Sequence, residues 1–169
     1  MSKRIVTTLF RFLENLGAGV WVGALLTFGF AVAGTLFRGL PSITLAGEMN
    51  ARILHKLNLI EAGAAIAMAL AALFFLVQPS ERTLVRFSKA LVLVLMTSAL
   101  VYYGAFLADR MEYLRAEIGD FDQFDVAKQS FRDEFNRLHK VYTRLVGANL
   151  LMGLTFLLLS AFERTRYPS

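Results

Sequence analysis

No cysteine occurs anywhere in the 169 residues, which removes disulfides, thiolate metal centres and thiol redox chemistry from consideration. Histidine is nearly as scarce, with two copies, and one tryptophan stands against 15 phenylalanines. Charge is thin as well: 18% of the residues are Asp, Glu, Lys or Arg, where a soluble domain carries about a quarter. The chain also lacks a P-loop, an HExxH, a CxxC and any Ser-His-Asp order worth defending. Its glycines are dispersed, and its six methionines are too scattered to form a soft-metal track. These absences argue against an enzyme, and no cofactor is expected.

The positions of the missing charges carry more information than their number. Uncharged runs separate Glu14 from Arg38 (23 residues), Glu61 from Glu81 (19), Lys89 from Asp109 (19) and Arg144 from Glu163 (18). A helix needs roughly 20 such residues to cross a bilayer. The reading is a single all-α, four-span membrane domain over 1–169, an antiparallel four-helix bundle with spans at about 15–38, 57–78, 89–109 and 144–163. The basic start, "MSKRIVTTLFRF", resembles a signal-peptide n-region. The apolar run behind it is too long for an h-region and ends in "LFRGLP", so the first span is expected to be retained.

The net charge of +5 is unevenly placed. Four spans put the N-terminus, the 80–89 connection and the C-terminus on one side. That side holds Lys3, Arg4, Arg11, Arg82, Arg86, Lys89, Arg164 and Arg166 against Glu14, Glu81 and Glu163. The other side holds ten basic and nine acidic residues. Such a bias in short segments is the positive-inside pattern. It predicts a cell (inner) membrane protein with both termini cytoplasmic, the lipid bilayer as its first partner, and no nucleic acid.

Several seams are legible. Gly19 and Gly23 form a GxxxG in segment one, a spacing that lets helix backbones approach closely. Gly39 is expected to take a left-handed cap and Pro41 to end the segment. Segment two, starting near Ala46, carries a stripe of Asn58, Ala62, Ala65, Ala69 and Ala72. Segment three continues past its span through Met111, Leu114 and Ile118 to Gly119, after which Asp122 or Asp125 caps segment four. Segment four then reads as one helix of some 36 residues, longer than a bilayer is thick. A helical hairpin over about 109–144 therefore stands outside the membrane.

Candidate functional residues are the polar groups on these seams. The stripe of segment four reads Phe135, His139, Tyr142, Val146, Asn149, Gly153, Phe156 and Ser160. On segment two, His55, Asn58 and Glu61 follow one another at i, i+3 and i+6. Asparagines in lipid hydrogen-bond across helices. A carboxylate such as Glu61 is paired, protonated or functional, with Lys140 or Arg144 as the expected salt-bridge partner and a proton or cation site as the alternative. His55 and His139 lie seven and six residues before uncharged runs, so at 1.5 Å per residue they sit at nearly equal heights. Facing seams would bring them into one polar vestibule with Asn58, Glu61, Tyr142 and Asn149. Three roles stay open for the pair: hydrogen bonding at the interface, a metal or haem bridge, and a proton-sensitive gate.

Two blocks resemble the transmembrane-protein-205-like family. One is "LFRGLPS", with Phe37, Arg38, Leu40 and Pro41; the other is "FRDEFNRLHKVYTRLVGANLLMG", with Phe135, Arg137, His139 and Asn149. The resemblance covers nearly the whole chain. It implies a small four-helix membrane protein carrying a domain of unknown function, and it brings no biochemistry with it.

Two functions are compatible with these residues. The bundle binds or moves a small solute or cation through the vestibule, or it is a non-catalytic accessory subunit or scaffold docking through the 109–144 hairpin. A membrane-protein partner or a second copy fits the latter. The topology is checked by single cysteines in this cysteine-free chain. Those near residues 3, 84 and 167 should be shielded from an impermeant reagent in intact cells, and one near 122 labelled. Outside labelling at 84 would overturn the scheme.

Overall fold

In the computed structural model, which describes residues 3–78 and 83–166, the apolar runs become four long helices and no described residue is in a strand. They are α1 (Lys3–Gly39), α2 (Ile43–Val77), α3 (Leu84–Ile118) and α4 (Gln129–Arg166). All four are long and apolar enough to cross a membrane. Two are interrupted by a π turn, α1 at Phe28–Val32 and α3 at Tyr102–Leu107.

Local chemistry sets the helix ends. Ser42 accepts from the Leu45 amide at 3.0 Å and starts α2 three residues earlier than Ala46. Thr83 likewise caps α3 through the Arg86 amide. Gly119, at φ 71°, ends α3, a conformation that a side chain would strain. Asp125 caps the 3-10 turn Val126–Lys128 that leads into α4. Gly39 is not a left-handed cap: it is the last helical residue, and the chain turns at Leu40, which is extended. The 79–82 connection, with Glu81 and Arg82, and the side chains of Arg164 and Arg166 lie outside the described residues.

Each helix packs on its sequence neighbours, and α4 closes the ring against α1. Helices α2 and α4 therefore stand across a diagonal, as do α1 and α3. The core runs the length of the bundle, from Ala46 and Ile118 at one end through Trp21, Met68, Met96 and Tyr103 to Phe75. The outward belt is apolar too, with Leu16, Ile66, Leu70, Leu91, Leu151 and Leu158 all exposed, as befits contact with lipid.

The close helix approaches differ in part from the expected seams. On α1 the contact is made by Gly17, not by Gly19 and Gly23. A Cβ at Gly17 would lie 2.8 Å from Met68 Cγ and 3.0 Å from the Ala64 carbonyl oxygen, whereas Gly19 and Gly23 have nothing within 4 Å. The GxxxG lies on another side of the helix from the buried positions Gly17, Ala18, Trp21, Val22 and Leu25. On α2, Ala65 is buried at the heart of the seam with Ala64, Met68 and Ala71, while Ala62 and Ala69 flank it half-buried. Gly153 is a true approach point, since its Cβ would meet Val22 at 2.7 Å.

The 109–144 hairpin does not stand alone. Its tip folds over the start of α2, where Asp122 accepts from the Ile43 amide at 2.7 Å and the Thr44 amide at 3.2 Å. These two amides hold its carboxyl at about 2, below the usual carboxylate range. Asp120 accepts from the Thr44 hydroxyl, which itself accepts from the Phe121 amide. Arg132 ties the loop from α4 through the carbonyls of Asp120, Phe121 and Gln123. Asp122 thus caps the second helix, not the fourth.

Replacing Gly17 by leucine should lower stability by about 1–3 kcal/mol through overpacking, while Gly19→Leu should leave it nearly unchanged. Equal losses for the two variants in a detergent melt would show that α1 packs on a different face.

Candidate functional site

A carboxyl group in the middle of an apolar helix needs a partner or a counter-charge. Glu61 on α2 is 0% exposed, and its partner is a phenol. Tyr103 on α3 donates its hydroxyl to Glu61 Oε2 at 2.8 Å. The same hydroxyl accepts from Asn149 Nδ2 on α4 at 2.9 Å. Asn149 Nδ2 also donates to the Met96 carbonyl at 3.3 Å, so this asparagine is held by two points on α3. From α1, the buried indole of Trp21 faces the carboxyl of Glu61. All four helices meet at this one group.

A second ring closes beside it. Tyr142 is buried, its ring edge-on to that of Tyr103 with centroids 5.4 Å apart. The Asn58 side chain, one turn before Glu61, reaches Tyr142. Gly104 makes room for that amide: a Cβ there would lie 3.1 Å from Asn58 Nδ2. Tyr103 and Gly104 both belong to the π turn of α3, a distortion common where helices carry function. Inward positions before, within and after the turn, Leu100, Tyr103, Leu107 and Met111, all stay buried.

The depth of this layer follows from the sequence. Tyr103 and Asn149 lie about four residues, or roughly 6 Å, from the centres of their uncharged runs. Those two groups are therefore inside a hydrocarbon core about 30 Å thick, while Glu61, Asn58 and Tyr142, at or before the starts of their uncharged runs, lie toward its boundary.

The expected vestibule divides accordingly. Asn58, Glu61, Tyr142 and Asn149 do come together. His55 and His139 do not join them: both are exposed. His139 stacks on Phe135, one turn away on its own helix, and Phe135 meets Phe121 edge-on. Among the described residues no three His, Asp or Glu side chains are grouped to hold a metal. The expected salt bridge from Glu61 to Lys140 or Arg144 is also absent. Those two line an open groove of about 390 Å³ on α4, with Asp133, Asn136, Arg137 and Val141. In the other family block, Phe37, Arg38 and Pro41 are exposed, and the Arg38 guanidinium folds back over Gly34.

A further polar cluster lies at the opposite end of the bundle. Glu14 of α1 accepts from Lys89 Nζ at 2.7 Å and from Arg86 at 3.1 Å, both on α3. Glu163 of α4 pairs with the same two cations, with Lys89 at 3.1 Å and with Arg86. Arg86 lies 3.6 Å over the ring of Phe75, and Lys89 lies 5.0 Å over that of Phe156. All four count toward the positive-inside bias in the sequence, and Glu14, Arg86 and Lys89 are buried. The signal was available, since Glu14, Lys89 and Glu163 each end an uncharged run, and Arg86 sits one turn from Lys89. Tyr103 and Trp21 were also missed, although a lone tryptophan in mid-span departs from the usual placement at membrane interfaces.

A family model described as a domain of unknown function, DUF4149, matches residues 16–120, which is more than half of the chain. No curated protein and no solved structure matches the chain.

Loss of one member leaves the others of the cluster buried and unbalanced. Lys89→Met should cost about 3–5 kcal/mol, and adding Glu163→Gln should restore part of it. A Lys89→Met variant that melts like the parent would mean the cluster is open to water.

Proposed function

The chain belongs to the DUF4149 family, a domain of unknown function, and we propose that it is a membrane protein that binds a proton or another small cation at Glu61. The observation that carries this reading is the carboxyl itself: fully buried, with a tyrosine, an asparagine and a tryptophan around it and, among the described residues, no basic side chain paired with it. An ionised carboxylate is very costly there unless a proton or a cation neutralises it. Because its partners come from every helix, a change of charge at Glu61 acts on the packing of the whole bundle. Binding, with or without movement across the membrane, is the role; catalysis is not part of it.

The finer resemblance to the transmembrane-protein-205-like family, carried by Phe37, Arg38, Pro41, Phe135, Arg137 and His139, belongs to this proposal as well. So does placement in the cell (inner) membrane with both termini cytoplasmic. Arg86 and Lys89 are neutralised by Glu14 and Glu163. The remaining charges on that side are still six basic residues against one acidic, so the orientation argument holds without the cluster.

The second reading, an accessory subunit docking through the hairpin, is favoured by Phe124 and Val126 at its tip, 73% and 75% exposed. Mass spectrometry of the protein purified in mild detergent separates the two by finding or missing a stoichiometric partner.

Infrared difference spectra of the protein in lipid test the first reading. A carboxyl band should change when pH or salt is stepped, and Glu61→Gln should abolish it. A band indifferent to both would reduce Glu61 to helix glue.

A further inference from the structure

Seven basic residues lie in the 109–144 hairpin, and four of them are tied down. Arg110 pairs with Glu134 and Arg115 with Glu112. Lys128 donates to the Ile118 carbonyl, and Arg132 to the carbonyls of the tip. The other three, Arg137, Lys140 and Arg144, make no ion pair or side-chain hydrogen bond among the described residues. Glu134 acts on Arg137 only at a distance, since its two oxygens already take the Arg110 fork. All three cations are exposed and line the open groove of about 390 Å³ on α4, where Asp133 is the single acid.

The face that bears them does not end at the groove. From Arg137 it continues through Lys140, Arg144, Ala148, Leu151 and Leu158, at helical steps of three, four or seven, and every one is exposed. The opposite face carries the buried Tyr142, Asn149 and Phe156. The stripe is cationic above and uncharged below, with Leu151 66% and Leu158 57% exposed. Its character changes at Arg144, the last charge before the uncharged run of this span. Lys140 and Arg137 stand four and seven residues farther out, about 6 and 10.5 Å. A headgroup layer is roughly 5–8 Å thick, so Arg144 and Lys140 lie within it and Arg137 at its rim.

A phospholipid has its parts in this same order, a phosphate and then apolar chains. We propose that this face of α4 binds an anionic phospholipid from the leaflet on the hairpin side. Its phosphate sits between Lys140 and Arg144, and its acyl chains lie along Ala148, Leu151 and Leu158. A zwitterionic headgroup brings a cation of its own against three others, so a net negative headgroup is selected. The site is separate from Glu61 and does not depend on it.

Native mass spectrometry of the full-length protein in mild detergent tests this, with phosphatidylglycerol and phosphatidylcholine of equal chain length added together. Phosphatidylglycerol should be retained in preference. Lys140→Gln and Arg144→Gln should each weaken its retention about fivefold. Ala148→Trp, which blocks the acyl path and removes no charge, should weaken retention as well. Arg110→Gln removes a paired cation of the same hairpin and should change nothing. All of these side chains are exposed, so the variants leave the core intact. Equal retention of the two lipids overturns the assignment, and so does an equal loss from Arg110→Gln. Displacement by soluble glycerol phosphate, with no effect of Ala148→Trp, would make the groove a site for a free anion and reject the lipid. A protein or second copy that is bound in place of lipid and released by Arg144→Gln rejects it too.

Discussion

A polar atom in hydrocarbon has no water to turn to, and the hydroxyl of Tyr103 is where this protein meets that constraint. It gives its proton to Glu61 and receives one from Asn149, so a single oxygen joins α2, α3 and α4. Lipid tails are as apolar as leucine, so association of helices in a bilayer draws on close packing and on hydrogen bonds like these. The bundle has both. Gly17 and Gly153 admit their neighbours to within contact distance, and two polar layers cross the core where apolar packing alone would leave the helices free to slide.

The two layers solve different problems. At the Glu14 end, two acids meet two bases, each charge has an opposite partner, and the cations also lie over aromatic rings. That layer is electrically complete and serves as a clasp for α1, α3 and α4. The Glu61 layer has one acid and, among the described residues, no base paired with it, and three of its oxygens have no hydrogen-bond partner. Evolution has no need of such an arrangement for stability, since well-packed apolar residues hold helices as firmly as a buried charge. The clasp explains cohesion; the Glu61 layer is the place at which the proposed proton or cation binding would act.

The four helices were legible because charge is excluded from hydrocarbon, and that rule acts on every residue of a span. The inward face of α4 was legible as well: Tyr142, Asn149, Gly153, Phe156 and Ser160 lie on the expected stripe and are buried. His139, on the same stripe, lies outside, its imidazole stacked on Phe135 of its own helix. Neighbour relations were harder. Spacing gives the face of a helix but not which helix covers it, so two polar stripes on α2 and α4 suggested a shared vestibule that does bring Asn58 to Tyr142 but leaves His55 and His139 exposed. GxxxG misled for the same reason: Gly19 and Gly23 mark a face that could be approached closely, while Gly17, with no partner glycine, is the one that is.

The π turn of α3 links these observations. An inserted residue lets Tyr103 reach both Glu61 and Asn149 while Leu107, Met111, Leu114 and Ile118 beyond it still face the core. Gly104, in the same turn, lies against Asn58, the other polar residue of the layer on α2. The polar layer and the helix register are thus set by one short distortion. Relaxing that turn to regular α-helix would rotate Tyr103 away from its partners and move Gly104 off Asn58 together. It would also displace the far end of α3, whose following loop caps α2 through Asp122.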